Sequence, residues 1–329
     1  MTTAGRTIAT ALTSNELSTK PLNVSVIIPS FEDRGHLGDL LRALVIQQPP
    51  LNEIIVSHSG SGDPSQHVPM GHEAIRVLHQ DEQLFSGAAR NAGVAAASGK
   101  WLAFIDDDVI PAKNWSANLA RLQSQASSNT CFVGSIDADL SDGYWGICLW
   151  FLEFGSVHSY MPSRTIEGGA SANMFLPRSL YDAAGGFPEN VDRCVDVEFM
   201  ACCRENGGHT SFDGATRVSH HNISSLKHCL THAISLGCGS ARVRQLKKLR
   251  GDAFVKMPLF IPLLIPARLV QMTYRVGRWG KGFRLLFLMH LPGILLALIA
   301  WSLGFARCAR RSQEEGREGR ETLFVRSSD

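Results

Sequence analysis

Between Asn23 and Asp108 the chain alternates short β-branched runs with helix-spaced apolar segments, and few architectures accept that order. Val24-Ser25-Val26-Ile27-Ile28 reads as a strand stopped by Pro29. His36 to Gln47 carries Leu37, Leu40, Leu41, Leu44 and Val45 at helical spacing. Glu53-Ile54-Ile55-Val56 is a second strand leading into a loop, Ser57 to Pro64, and Ala74 to Leu78 is a third. Ser86 to Ala97 is a small-residue helix closed by Gly99, and Trp101 to Ile105 is a fourth strand that runs into Asp106-Asp107-Asp108. Strands alternating with helices predict an α/β fold with a mostly parallel central sheet. Ligands of such sheets sit beyond the carboxyl ends of the strands. The loops after Ile28, Val56 and Ile105 should therefore share one rim.

Three consecutive aspartates repel one another unless a cation compensates them. Oxygen ligands at an open sheet edge suit Mg2+ or Mn2+ held partly by a diphosphate. The competing reading is a helix cap with solvated neighbours, which suits one Asp better than a triplet after Trp-Leu-Ala-Phe-Ile.

At this point a resemblance emerges. Val24 to Phe31, Glu53 to Val56, Gly87-Ala-Ala-Arg-Asn-Ala-Gly93 and Phe104-Ile-Asp-Asp-Asp108 stand in the order seen in family 2 glycosyltransferases. Asn173 to Arg178, Gly185 to Glu189 and Asp196-Val197-Glu198 resemble that family too, so the likeness covers residues 23–222. It implies a GT-A fold, a nucleotide-sugar donor, a divalent cation and inversion at the anomeric carbon. By position, Asp106 and Asp108 resemble the nucleotide and metal aspartates of the family, with Asp107 between them. Pro29, Ser30, Phe31 and Glu32 should line the nucleobase pocket, with Arg90 and Asn91 on its wall. For Arg90 the alternative is a surface salt bridge, a common and weak interaction. Asp196 resembles the catalytic base, although Val195 stands where the family usually has Glu.

A second departure lies after the second strand. Ser57-His58-Ser59-Gly60-Ser61 replaces the family's Val-Asp-Asx-Gly-Ser, so His58 stands where a base-binding carboxylate is usual. A neutral imidazole donates or accepts but is no fixed anion; the competing reading is a solvated loop histidine. His220 and His221 follow a strand expected over Ala215 to Ser219, where similar transferases use a His toward the metal or diphosphate. Alternation predicts that only one of the two faces the site.

Two other enzyme classes fit less well. No GxGxxG opens a helix, which argues against a dinucleotide-binding dehydrogenase. A nucleotidyltransferase would need a Gly-rich, Arg-containing loop after the first strand, and Pro29-Ser30-Phe31-Glu32 is not one. A non-catalytic relative that binds glycans or partners is favoured by His58 and opposed by Asp106, Asp108 and Asp196.

The C-terminal third differs in kind. From Arg242 to Arg311 fourteen Lys or Arg face one acid, Asp252, and the stretch is strongly apolar. Over the whole chain the formal charge is only +2, which predicts no nucleic-acid partner, so basic plus apolar points to membrane lipids. Leu285 to Ala306 is long enough to span a bilayer. Basic flanks on both sides and a helix break expected at Pro292-Gly293 predict a re-entrant segment instead. Met257 to Tyr274, with three prolines and Arg268, is too interrupted to span. The eight cysteines contain no CxxC pair and read as reduced, buried thiols. No apolar run long enough for a signal peptide occurs in the first twenty residues. These features predict a flexible tail over 1–22, a catalytic domain over 23–225, a membrane-associating region over 226–311 and a disordered tail over 312–329. The catalytic domain should lie on the cytoplasmic face of the inner membrane, with a lipid-linked or envelope glycan as acceptor.

Overall fold

The computed structural model describes residues 21–32, 35–125 and 127–326, with 311–326 as backbone only, so the tail expected over 1–22 lies almost wholly outside it. Strand β1 (Leu22–Phe31), helix α1 (Leu37–Val45), strands β2 (Leu51–Ser59) and β3 (Ile75–Gln80), helix α2 (Ser86–Ala96) and strand β4 (Trp101–Ile105) follow in the expected order. The four strands pair in parallel, in the spatial order β3-β2-β1-β4. Alternation along β1 sends Val24, Val26 and Ile28 to the face covered by α1 and Ile27 to the face covered by α2.

The strand expected to stop at Pro29 continues through it to Phe31. Pairing with β4 ends at Ile27, so the backbone beyond has a partner on the β2 side only. A proline costs no ladder bond where one side of the strand is already free. Likewise β2 runs on to Ser59, so His58 lies in a strand rather than in the expected loop.

The second half of the sheet is mixed. It comprises β5 (Val109–Pro111), α3 (Trp115–Gln125), β6 (Thr130–Ala138), α4 (Gly143–Glu153), β7 (Arg164–Thr165), β8 (Asn173–Pro177), α5 (Arg178–Ala184), α6 (Val195–Glu205) and β9 (His209–His220). β8 joins β4 antiparallel and the order continues β8-β6-β9-β5, with β7 also on β9. Val109 pairs with His220, which carries the end of β9 to the residues just after the aspartate triplet.

At the expected boundary, Ser225 Oγ accepts from the backbone N–H of His228 (3.1 Å) and caps α7 (Leu226–Leu246). Next come α8 (Ala253–Lys256), a 3-10 turn over Pro258–Leu263, α9 (Leu264–Trp279) and α10 (Arg284–Arg326). The core crosses this boundary without interruption: Trp150 and Phe151 of α4 meet Phe283 and Phe287. α7 and α10 approach through glycines. A Cβ on Gly237 would fall 1.9 Å from the Trp301 carbonyl oxygen, and one on Gly304 would fall 2.0 Å from that of Ile234.

Three expectations for this region change. No break occurs at Pro292-Gly293, because α4 supplies the missing polar partners. The Tyr144 hydroxyl accepts from Gly293 N–H (3.1 Å), Cys148 Sγ donates to the His290 carbonyl (3.7 Å), and the Tyr144 ring stacks on His290. Pro292 is thereby carried inside a continuous helix, which removes the turn a re-entrant hairpin requires. The thiols are not all free: close packing of α7 on α10 joins Cys238 to Cys308 across 70 residues of sequence. Finally, the backbone of α10 stays helical to Arg326, through most of the segment expected to be a disordered tail. Its Gln, Glu and Arg content favours extending a helix already nucleated.

Candidate active site

The carboxyl ends of β1 and β4 open onto a cavity of about 1230 Å³. Pro29, Ser30, Phe31, Arg90, Asp106, Asp107, Asp108, Asp196, His220 and His221 all line it, although they come from five separate stretches of chain. Glu32 and His58 instead face a small side cavity together with Ser30, His36 and Asp107. His58 is buried in β2, with Nδ1 3.2 Å from Ser30 Oγ and its ring edge-on to His79. Asn91 reaches neither cavity. Its amide oxygen accepts from the Tyr181 hydroxyl (2.6 Å) and Phe187 N–H (2.9 Å), and its NH2 donates to the Phe187 carbonyl and Glu189 (2.9 Å each). It fixes the Gly186–Glu189 loop.

Arg90 is not a surface ion pair. Its side chain is 4% exposed, donates to Asp106 Oδ1 at 2.5 Å and lies over the Phe187 ring. Asp106 is thus partly neutralised by the protein, whereas Asp108 is not. Asp108 Oδ1 is buried without a hydrogen bond, 3.4 Å from His220 Nε2. A buried carboxylate oxygen left in this state is costly unless something else compensates it. An oxygen–nitrogen donor pair beside a cavity fits Mg2+ or Mn2+.

Alternation did not separate the two histidines as expected, because β9 ends at His220 and His221 has already left the strand. His221 N–H donates to the Asp108 carbonyl (2.9 Å) while its ring stacks on His36 and places Nδ1 3.2 Å from Asp139. Asp139, Asp142 and His221 bring ligand atoms within 4.8 Å of one another, a second donor set able to hold a divalent cation. The Asp-x-x-Asp spacing after β6 was the available sequence signal for it.

Asp196 sits in the first turn of α6, where its carboxylate accepts from Val197 N–H (2.8 Å) and Ser171 N–H (3.3 Å). Although open to the cavity, it is ringed by protein, and burial pushes it up to about 6. The Arg90 charge and the two N–H donors pull the other way, and Glu153 adds to the rise.

Comparison with known proteins bears on this arrangement directly. Residues 25–181 match the family model for glycosyl transferase family 2. The chain carries a family 2 glycosyltransferase domain. The glycosyltransferase AglE of Haloferax volcanii is 36% identical over 104 residues, 30% of this chain and 34% of that protein. The pre-mycofactocin glycosyltransferase of Mycobacterium tuberculosis is 27% identical over 227 residues, 67% of this chain and 47% of that one. The chain spans about half or less of the length of these curated relatives. The mannosyltransferase PcManGT of Pyrobaculum calidifontis, solved with GDP-Man and Mn2+, superposes with a TM-score of 0.57 at 17% identity, covering 87% of this chain and 88% of that one. The fold is GT-A.

The cavity continues past Asp196 to groups that sequence reasoning missed. Glu153, at the end of α4, pairs with His232 of α7 (3.0 Å). Burial pushes Glu153 up, but His232, together with the charges of His220 and Arg193, outweighs it and holds the carboxyl below its usual range. The sequence signal was a lone acid inside the apolar run Ile147 to Phe154. Arg193, Arg244 and Arg268 line the far end.

Proposed function

We propose that the protein transfers a sugar from a nucleotide-sugar donor to an acceptor hydroxyl with inversion at the anomeric carbon. The supporting observation is the meeting of Asp106, Asp108 and Asp196 in one cavity at the strand ends. Pro29, Ser30 and Phe31 form the wall for the nucleobase, and Arg90 fixes Asp106 toward the donor. Asp108, with His220, would hold a divalent cation, Mg2+ or Mn2+, whose charge offsets that of the departing diphosphate. Asp196 takes the proton of the acceptor hydroxyl as that oxygen attacks C1, the C1–phosphate oxygen bond breaks, and nucleoside diphosphate leaves. One base and one displacement give inversion, with no second carboxylate as nucleophile.

The reading places this chemistry at a membrane, with a lipid-linked or envelope glycan as acceptor. The segment Lys281–Arg310 is apolar enough to cross a bilayer, yet 39% of its apolar stretch is buried against the protein. Ile294, Ala297, Leu298 and Trp301 pack inward, while Leu285, Leu288, Met289 and Leu303 are exposed on the other side. Arg275, Arg278, Lys281 and Arg284 cluster along the chain at the start of that segment. A helix half in protein and half exposed, edged by cations, suits lying in an anionic membrane surface. Basic flanks favour the cytoplasmic leaflet, whereas a bridge such as Cys238–Cys308 is rare in reducing compartments. Alkylation of those two thiols in intact cells decides between the faces.

A donor panel tests the enzymatic reading. Release of nucleoside diphosphate from one nucleotide sugar, abolished by chelation and restored by Mn2+ or Mg2+, is the expected result. Equal inertness toward every donor in the presence of both metals would overturn it.

A further inference from the structure

The helical end of the cavity gathers cations that the transfer step just described does not use. Arg244, on α7, donates to the Ser240 carbonyl (2.9 Å), to Ser240 Oγ (2.5 Å) and to the Arg250 carbonyl (2.9 Å). Arg268, on α9, donates to the Leu152 carbonyl (3.2 Å) and lies 4.1 Å from the centre of the Trp301 ring. Neither guanidinium has a carboxylate partner among the described residues. Arg193 Nε is buried without a hydrogen bond, and its nearest carboxylate, Asp192, is 3.6 Å away.

The nearby acids are engaged elsewhere. Glu153 is paired with His232, Glu167 lies 3.7 Å from Arg250, and Asp252 lies 3.6 Å from Lys256. Burial and the charges of Arg244 and Arg275 push Arg268 down to about 10, the direction expected for a cation short of a counter-charge. Grouping cations this way costs stability unless an anion joins them. Guanidinium groups match phosphate and carboxylate oxygens through paired N–H donors.

Position decides which substrate that anion belongs to. Asp196 feels the charge of Arg90, which is bound to Asp106, and Cys194, two residues before it, packs on α7, the helix that carries Arg244, with its Sγ donating to the Leu236 carbonyl (3.8 Å). The base therefore stands between the aspartate triplet and the arginine cluster. We propose that Arg193, Arg244 and Arg268 form an oxyanion subsite for the acceptor, holding a phosphate or carboxylate group on the helical side of Asp196. The inference rests on the glycosyltransferase reading and narrows it to anionic acceptors. A lipid phosphate and a uronic acid share this chemistry.

Calorimetric titration of the full chain, saturated with Mn2+ and either UDP or GDP, separates these cases. The probes are two matched pairs: farnesyl phosphate with farnesol, and methyl β-glucuronide with methyl β-glucoside. One anionic member should bind roughly tenfold tighter than its neutral twin. A preference for farnesyl phosphate identifies a lipid phosphate, and one for the glucuronide a uronic acid. Arg244→Gln and Arg268→Gln should each erase most of the preference while nucleotide affinity holds, and Arg244→Lys should keep part of it. Because Arg268 also packs on Trp301, Arg193→Gln serves as an independent variant. Normal nucleotide binding with equal affinity for both twins, or a preference that survives in the Gln variants, overturns the subsite alone. Loss of both nucleotide binding and discrimination in the unmodified protein overturns the transferase reading with it.

Discussion

Two carboxylates are withdrawn from solvent at opposite ends of the sheet. Glu53, where β2 begins, accepts from Ser25 Oγ, from the backbone N–H and hydroxyl of Ser98 (2.9 and 3.3 Å) and from Arg76 (3.2 Å). Burial pushes its pKa up, but Ser25, Ser98 and Arg76 together outweigh burial and hold it below the usual carboxylate range. Asp196, at the cavity end, has two backbone N–H donors and a neighbouring acid, and burial wins. A structural carboxylate is saturated with donors and so kept ionised at little cost. One left short of donors keeps its affinity for a proton, which is what a general base needs.

The largest expected effect lies at the cavity end. Asp108→Ala should lower transfer by roughly 10³-fold or more, because it removes the anionic ligand beside His220. Donor binding should lose its dependence on Mn2+, and full activity with Mn2+ present would remove the metal assignment. Asp196→Asn should lower turnover by roughly 10²–10⁴ with donor affinity intact; a parallel collapse of donor affinity would make Asp196 a binding residue.

The same substitution sharpens the contrast through stability. An acid whose folded pKa is raised destabilises the fold as pH rises from the unfolded value through the folded one. Asp196→Asn should therefore raise thermal stability above pH 6, by about 1–3 kcal/mol, and the gain should vanish below about pH 4. Glu53→Ala should behave in the opposite sense. It should cost about 2–4 kcal/mol at neutral pH, less as acid protonates the native side chain, and leave turnover per folded molecule unchanged. Urea unfolding at several pH values checks both signs.

The smallest effect is on the pH profile. Turnover should fall on the acid side with a midpoint near 6, where Asp196 takes up its proton. Glu153→Gln removes a negative neighbour and should move that limb to lower pH by less than about one unit. An unmoved limb would mean that Glu153 does not act on the base.

Much of this was legible in the chain because it depends on local order. The strand–helix alternation through residue 105 and the Asp106–Asp108 triplet at a strand end follow from periodicity and residue type, which short-range sterics and burial enforce, whereas Asp196 stands out only through its resemblance to the family's base position. Pairing and packing between distant segments are not written locally. That Pro29 stays in β1 depends on where β4 stops, and Asn91 serves a loop because the Gly186–Glu189 turn folds over it. α10 passes straight through Pro292 because Tyr144 and Cys148 stand beside it. Cys238 meets Cys308 because two glycines let α7 and α10 touch. Arg268 reads in sequence as a flaw in an apolar run, and only the fold turns it toward the cavity. Sequence fixes which chemical groups are present and their local conformation, whereas the partner each group meets is decided by contacts between segments far apart in the chain, where burial and hydrogen bonding are satisfied together.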